Sequence, residues 1–207
     1  MRVFIGFDPR QPAAFTVLAH SVWKRASKPV EIVRLQYNQL PVKRTGLTQF
    51  TYTRYAVPFL CDYEGDALFM DADMLCLGDI HQIRNIAPEG GVCVVKNKQR
   101  FEWPSLMYFR NDQCRNLTLD LIENDTPQHM DWAAVGELPS EWNHLVFYDK
   151  PRTDAKVVHF TAGIPCWPET KHSEYMKEWM HDASECLSTV SWEELMGNSV
   201  HRKAVGL

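Results

Sequence analysis

Ala67-Leu68-Phe69-Met70-Asp71-Ala72-Asp73 joins four consecutive apolar residues directly to two acids spaced i and i+2. Unbroken apolarity over so short a run predicts a strand buried on both faces, as in the interior of a parallel sheet. Working outward to the N-terminus, Phe50 to Leu60 recurs at helical spacing and stops at Asp62 to Gly65. Val30 to Leu35 reads as a strand. Pro12, followed by Phe15, Leu18, Ala19, Val22 and Trp23, predicts an amphipathic helix over residues 11–26. Arg2 to Phe7 is β-branched and aromatic and closes on Asp8-Pro9, the signature of a buried strand. Strand, helix, strand, helix, strand is the pattern of a parallel α/β nucleotide-binding half. Ligands of such sheets bind beyond the carboxyl ends of strands, which directs attention to Asp8 and to Asp71-Ala72-Asp73. Towards the C-terminus, Gly91 to Val95 and Ser105 to Phe109 predict strands, and Asp112 a helix cap for a helix reaching about Glu123. Val157 to Phe160 reads as a short strand, a helix follows near residues 172–186, and Ser191 to Glu194 has capping-box form.

Composition narrows the classes. The 207 residues are 45% hydrophobic and 23% charged, enough for one sizeable core and unlike disordered, collagen-like or coiled-coil chains. With 22 Lys+Arg against 26 Asp+Glu, the chain has a formal charge of −4 and no long basic run, which argues against a nucleic-acid partner. Only Val3 to Phe7 precede Asp8, too few apolar residues for a signal peptide or a membrane span. The six cysteines show no CxxC or zinc spacing and lie mostly in apolar runs. Both features lead us to expect a cytoplasmic protein with free buried thiols, in which the Asn116-Leu117-Thr118 sequon carries no sugar. Six of the seven tryptophans lie at or after Trp103.

Residues i and i+2 of an extended strand point the same way, and two carboxylates so placed repel unless a cation lies between them. Hard oxygens suit Mg²⁺ or Mn²⁺, ions that commonly bridge to substrate phosphates. The same spacing also occurs as a strand-ending turn with two solvated acids. His159, leaving its short strand before the Gly- and Pro-containing run Thr161 to Trp167, is placed to turn back towards a metal. A histidine of this kind on its own is a core or surface residue. Beside Asp71 and Asp73 it completes two carboxylates and one imidazole, leaving octahedral positions for diphosphate oxygens.

The run Thr48-Gln49-Phe50-Thr51-Tyr52-Thr53-Arg54-Tyr55-Ala56-Val57-Pro58, the block Ala67 to Asp73 and the block His159-Phe160-Thr161-Ala162-Gly163 together resemble glycosyltransferase family 8 and its relatives, from Phe4 to about Trp167. The resemblance implies a GT-A type nucleotide-binding fold, with a mostly parallel central sheet flanked by helices and a mixed, loop-rich C-terminal half. One domain over 1–207 is implied, with about 1–100 binding the nucleotide and about 101–207 supplying the acceptor side and C-terminal helices. It implies a retaining, metal-dependent hexosyltransferase with a UDP-sugar as donor and a glycan or other hydroxyl compound as acceptor. Asp71, Asp73 and His159 become the Mn²⁺ (or Mg²⁺) ligands. Ala72 lies against the ribose, Phe7 and Asp8 contact the nucleoside, and Arg54 approaches the donor phosphates or sugar. A guanidinium suits that task because it grips phosphate through two parallel hydrogen bonds.

The chain departs from the family pattern in three places. Pro104-Ser105-Leu106-Met107 stands where Asn-Ala-Gly is frequent. Asp131-Trp132 keeps only the acid of an Asp-Gln pair, while Trp142-Asn143 matches the following Trp-Asn. Gly163-Ile164-Pro165-Cys166-Trp167 lacks the lysine that usually precedes Pro-Trp, leaving Lys43, Arg44 and Lys171 as substitutes. Asp131 is the candidate nucleophile or sugar-orienting acid and equally a helix-entry acid. Trp103, Trp132, Asn143 and Trp167 are the acceptor candidates, since flat amphipathic rings suit sugar faces. Trp142 also falls in this loop-rich region, whereas Trp23 and Trp179 read as helix-packing residues. Two other readings fit parts of the chain: a non-catalytic nucleotide-sugar or glycan-binding module, and a DxD phosphatase of haloacid-dehalogenase type. The phosphatase motif normally lies near the N-terminus and needs a late acid pair on one loop.

Overall fold

A computed structural model describes residues 1–125, 134–189, 191–199 and 202. They cluster into two compact units, one drawn from residues 1–7, 28–71 and 81–140, the other from 8–27, 72–80 and 141–207. The chain therefore passes from the first unit to the second between Asp71 and Ala72.

The first unit is built on six strands, β1 (Arg2–Gly6), β2 (Glu31–Leu35), β3 (Asp66–Met70), β5 (Val92–Val94), β6 (Leu106–Arg110) and β7 (Gly136–Glu137). Their order is β2-β1-β3-β6-β5-β7. β1 runs parallel to β2 and β3, and β5 parallel to β7, while β6 is antiparallel to both β3 and β5. The sheet is thus mixed with parallel pairings in the majority, in keeping with the expected α/β class. Ala67, Leu68, Phe69 and Met70 are all fully buried, the two-faced burial predicted from their apolarity. One face carries Phe4, Phe69, Met107 and Phe109 against Val57 of α2 (Val57–Leu60) and Ile122 of α4 (Leu119–Asn124), with α3 (Ile83–Ile86) between these helices in the chain. Gly6 has no room for a side chain: an added Cβ would lie 2.6 Å from the Phe50 ring.

The second unit holds β4 (Met74–Cys76), β8 (His144–Leu145) and β9 (Val157–His159) in the order β4-β9-β8. α1 (Pro12–Arg25) packs on β4 and on α5 (Met176–Cys186) and α6 (Trp192–Met196). Arg25 and Lys24 of α1 meet the fully buried Asp182 of α5 at 2.5 and 3.0 Å. Trp179 is fully buried, as expected, but Trp23 is 57% exposed because it lies off the stripe Ala14, Val17, Leu18, Ser21 and Val22.

Three local expectations are corrected. The helix predicted over residues 50–60 is a 3₁₀ turn at Thr53–Ala56 followed by the short α2, with Pro58 in its first turn. The helix predicted from Asp112 starts at Leu119, capped by Thr118, whose side chain accepts from the Leu121 N–H at 3.2 Å. The helix expected from residue 172 starts at Met176, after Tyr175 takes a left-handed φ of 58°. The capping box forms as predicted between Ser191 and Glu194. Among the described residues no helix is long and apolar enough to cross a membrane.

Candidate functional site

Each unit assembles part of the predicted set. In the first, β3 delivers Asp71 to its carboxyl end, where the Asp71 N–H donates to the Ser105 carbonyl at 2.9 Å. The carboxylate meets the Arg54 guanidinium, Nη2 to Oδ1 at 3.1 Å, and both side chains are about nine-tenths buried. Arg54 also donates from Nη1 to the Pro104 carbonyl at 2.8 Å and from Nε to the Phe50 carbonyl at 3.3 Å. Its charge lies 5.0 Å from the Phe69 ring centroid and 5.5 Å from that of Phe50. The 3₁₀ turn at Thr53–Ala56 is what points Arg54 at Asp71. Next to it, burial pushes the Tyr55 phenol up to about 12. Glu102, which sequence reading did not single out, brings a carboxylate oxygen within 4.8 Å of that of Asp71. No local pattern announces it, because the loop around Arg100–Ser105 places it.

In the second unit, β4 and β9 form an antiparallel pair with Met74 opposite His159. The Phe160 N–H donates to the Asp73 carbonyl at 2.9 Å. This ladder brings the Asp73 carboxylate to His159, Oδ1 to Nε2 at 3.3 Å, with the imidazole 2% exposed and the acid 31%. Oxygen and nitrogen donors this close, one buried and one half-open, fit a divalent ion such as Mn²⁺ or Mg²⁺. His20, Asp182 and Glu185 are also grouped, but Lys24 and Arg25 already neutralise those acids.

The remaining predicted residues distribute as follows. Phe7 donates its N–H to the Leu35 carbonyl at 3.2 Å and lies 4.7 Å beneath the Arg34 guanidinium. Asp8 is buried, and Arg10 grips its carboxylate, Nη2 to Oδ2 at 2.6 Å. Ala72 is buried. Trp142 and Asn143 are both buried, immediately before His144. His144 was not anticipated; its Nε2 lies 2.8 Å from Glu174 and its ring 5.8 Å edge-on from that of Tyr175. Trp167 lies against Gly163, where an added Cβ would be 3.0 Å from the indole and where φ is +114°. Trp103 donates from its indole N–H to the Asn97 carbonyl at 2.8 Å. Asp131 and Trp132 lie outside the described residues.

No protein-family profile matches the sequence. The chain is 28% identical over 225 residues to Protein CDI of Arabidopsis thaliana, an alignment covering 89% of this chain and 86% of that protein. Among solved structures it superposes on the WbbM bifunctional glycosyltransferase with a TM-score of 0.63 and 14% identity, covering 98% of this chain and 50% of that one. It superposes on the galactosyltransferase LgtC, solved with donor and acceptor sugar analogues, with a TM-score of 0.60 and 11% identity over 89% of this chain and 96% of LgtC. Against the glycosyltransferase GlyE of Streptococcus pneumoniae TIGR4 the TM-score is 0.61, at 13% identity over 99% of this chain and 65% of that one. The chain thus spans half of WbbM and about two thirds of GlyE. These likenesses establish a GT-A type glycosyltransferase fold.

Proposed function

We propose that the chain is a metal-dependent retaining glycosyltransferase that moves a hexose from a nucleotide-diphosphate sugar, with UDP as the nucleotide, to an acceptor hydroxyl. The observation that carries the proposal is the pairing of Asp73 with His159 at 3.3 Å in a chain of glycosyltransferase fold. The order of the motifs along the sequence supports it.

Asp73 and His159 would hold the ion, and Asp71 is the third proposed ligand. The ion, when bound, supplies Lewis-acid stabilisation of the charge that develops on a departing diphosphate. Arg54 fixes Asp71: its fork is shared between the carboxylate and the Pro104 carbonyl, so it orients the acid. We assign Phe7, Asp8 and Ala72 to the nucleoside and ribose, with Arg10 orienting the Asp8 carboxylate. Asp131 is assigned to the sugar, and Trp103, Trp132, Asn143 and Trp167 to the acceptor. The six free cysteines support a cytoplasmic location.

Calorimetry of UDP with and without Mn²⁺ tests the metal site. Binding should strengthen with Mn²⁺, and Asp73→Asn or His159→Ala should weaken that enhancement by about tenfold or more. UDP affinity indifferent to both Mn²⁺ and Asp73→Asn would sink the metal site. A screen of nucleotide sugars for Mn²⁺-dependent hydrolysis then identifies the donor without needing the acceptor; binding without release of UDP from any sugar would leave only a binding module.

A further inference from the structure

We infer that the loop between β5 and β6 is an anion-binding ledge that selects an acceptor bearing a phosphate or a carboxylate group. The inference deepens the transferase reading above and rests on it for the word acceptor.

β5 and β6 are antiparallel neighbours, and two to five residues suffice to join such strands. Here residues 95–105 do so, a length that belongs to a built loop. Lys96, Lys98 and Arg100 alternate along its first half. The Lys96 ammonium lies 5.9 Å and the Arg100 guanidinium 5.5 Å from the centroid of one ring, that of Trp103. That indole is fixed by its bond to the Asn97 carbonyl and by packing against the buried core. The ring's own attraction for either charge is modest.

Elsewhere in the same unit, Arg2, Arg54 and Arg84 each have a carboxylate within 3.1 Å, Arg44 and Arg110 are held by backbone carbonyls, and Arg34 and Arg115 lie over aromatic rings. Lys96, Lys98 and Arg100 form no ion pair among the described residues. A phosphate or carboxylate bound at this stretch of the loop supplies a counter-charge that the described residues do not, and a guanidinium fork suits either group. Phe101, 68% exposed beside them, offers an apolar surface for a sugar ring.

The far end of the loop is tied to the proposed donor site. Arg54 donates to the Pro104 carbonyl at 2.8 Å, Asp71 donates its N–H to Ser105 at 2.9 Å, and the Glu102 carboxylate lies within 4.8 Å of that of Asp71. The loop that carries the cations is therefore anchored at its far end beside Asp71. Glu102 and Asp71, both acids, keep the anion at the basic end of the loop.

The test is calorimetry at low salt with glucose 6-phosphate, glucuronate and glucose as probes, on the wild type and on Lys96→Gln/Lys98→Gln/Arg100→Gln. The two anionic sugars should bind about tenfold or more tightly than glucose. Preference for the phosphate over the glucuronate would name the source of the charge. The preference should fade as salt rises, and the triple variant should bind all three probes alike. Lys98→Gln, at an exposed position, guards against misfolding and should lose part of the preference. Equal affinities in the wild type, or a preference that survives the triple variant, would overturn the inference. So would a triple variant that loses Mn²⁺-dependent UDP binding instead, since the loop would then serve the donor diphosphate. A wild type that prefers anionic sugars but never binds UDP upholds the ledge and defeats only the transferase reading.

Discussion

Arg54 and Asp71 illustrate what a buried charge pair demands. Both side chains are about nine-tenths buried and 3.1 Å apart, so each satisfies the other where water reaches poorly. Arg54→Met takes the guanidinium away from the buried Asp71 carboxylate and frees the Pro104 carbonyl. Breaking such a pair costs about 3–5 kcal/mol, and urea unfolding should show a loss of that order. Arg54→Lys keeps the charge but not the fork, and should fall between the wild type and Arg54→Met. Equal stability of all three would show that the pair contributes nothing.

Short elements here depend on their ends. α4 has only six residues, below the length at which a helix sustains itself, and Thr118 provides its N-cap. Thr118→Ala should cost about 1 kcal/mol, read as a shifted denaturation midpoint with an unchanged slope. The same threonine closes the Asn116-Leu117-Thr118 sequon, so its structural role is independent of any sugar.

The joint between α1 and α5 adds a pH dependence. Lys24 and His20 hold the Glu185 carboxyl down at about 2, from an ordinary value of 4.5. A depressed carboxyl contributes fully above its unfolded value and ceases to contribute as the folded form protonates. Stability should therefore fall between pH 4.5 and about 2, and Glu185→Gln should flatten that part of the profile in a thermal-melt series. The side chain is exposed, so screening keeps the effect small and salt-sensitive.

Across the whole molecule, both units bury free thiols. Cys114 in the first unit and Cys76 and Cys166 in the second are pushed up to about 12 by burial, and Cys186 to about 11. At pH 8 all four are thiols rather than thiolates, the form that reacts. Alkylation of the native protein should reach the half-buried Cys186 first, and the five buried cysteines only on unfolding. Fast labelling of Cys76 would contradict its burial.

The sequence by itself determined β1, β2, β3, β9 and α1 almost to the residue, and the carboxylates at the end of β3. An apolar run or stripe flanked by turn residues is a local signal that burial merely completes. It also determined the Ser191–Glu194 box, whose bonds span three residues. The motifs grouped Asp73 with His159, but only the tertiary structure decided how they meet, because the β4–β9 register is set between segments far apart in sequence. Packing likewise broke the run from Phe50 to Leu60 into a turn and a short helix, which aims Arg54 at Asp71. It buried Trp142, exposed Trp23, and gave Trp103 two cations. A tryptophan's role depends on which neighbours cover its ring, and no periodicity in the chain encodes that.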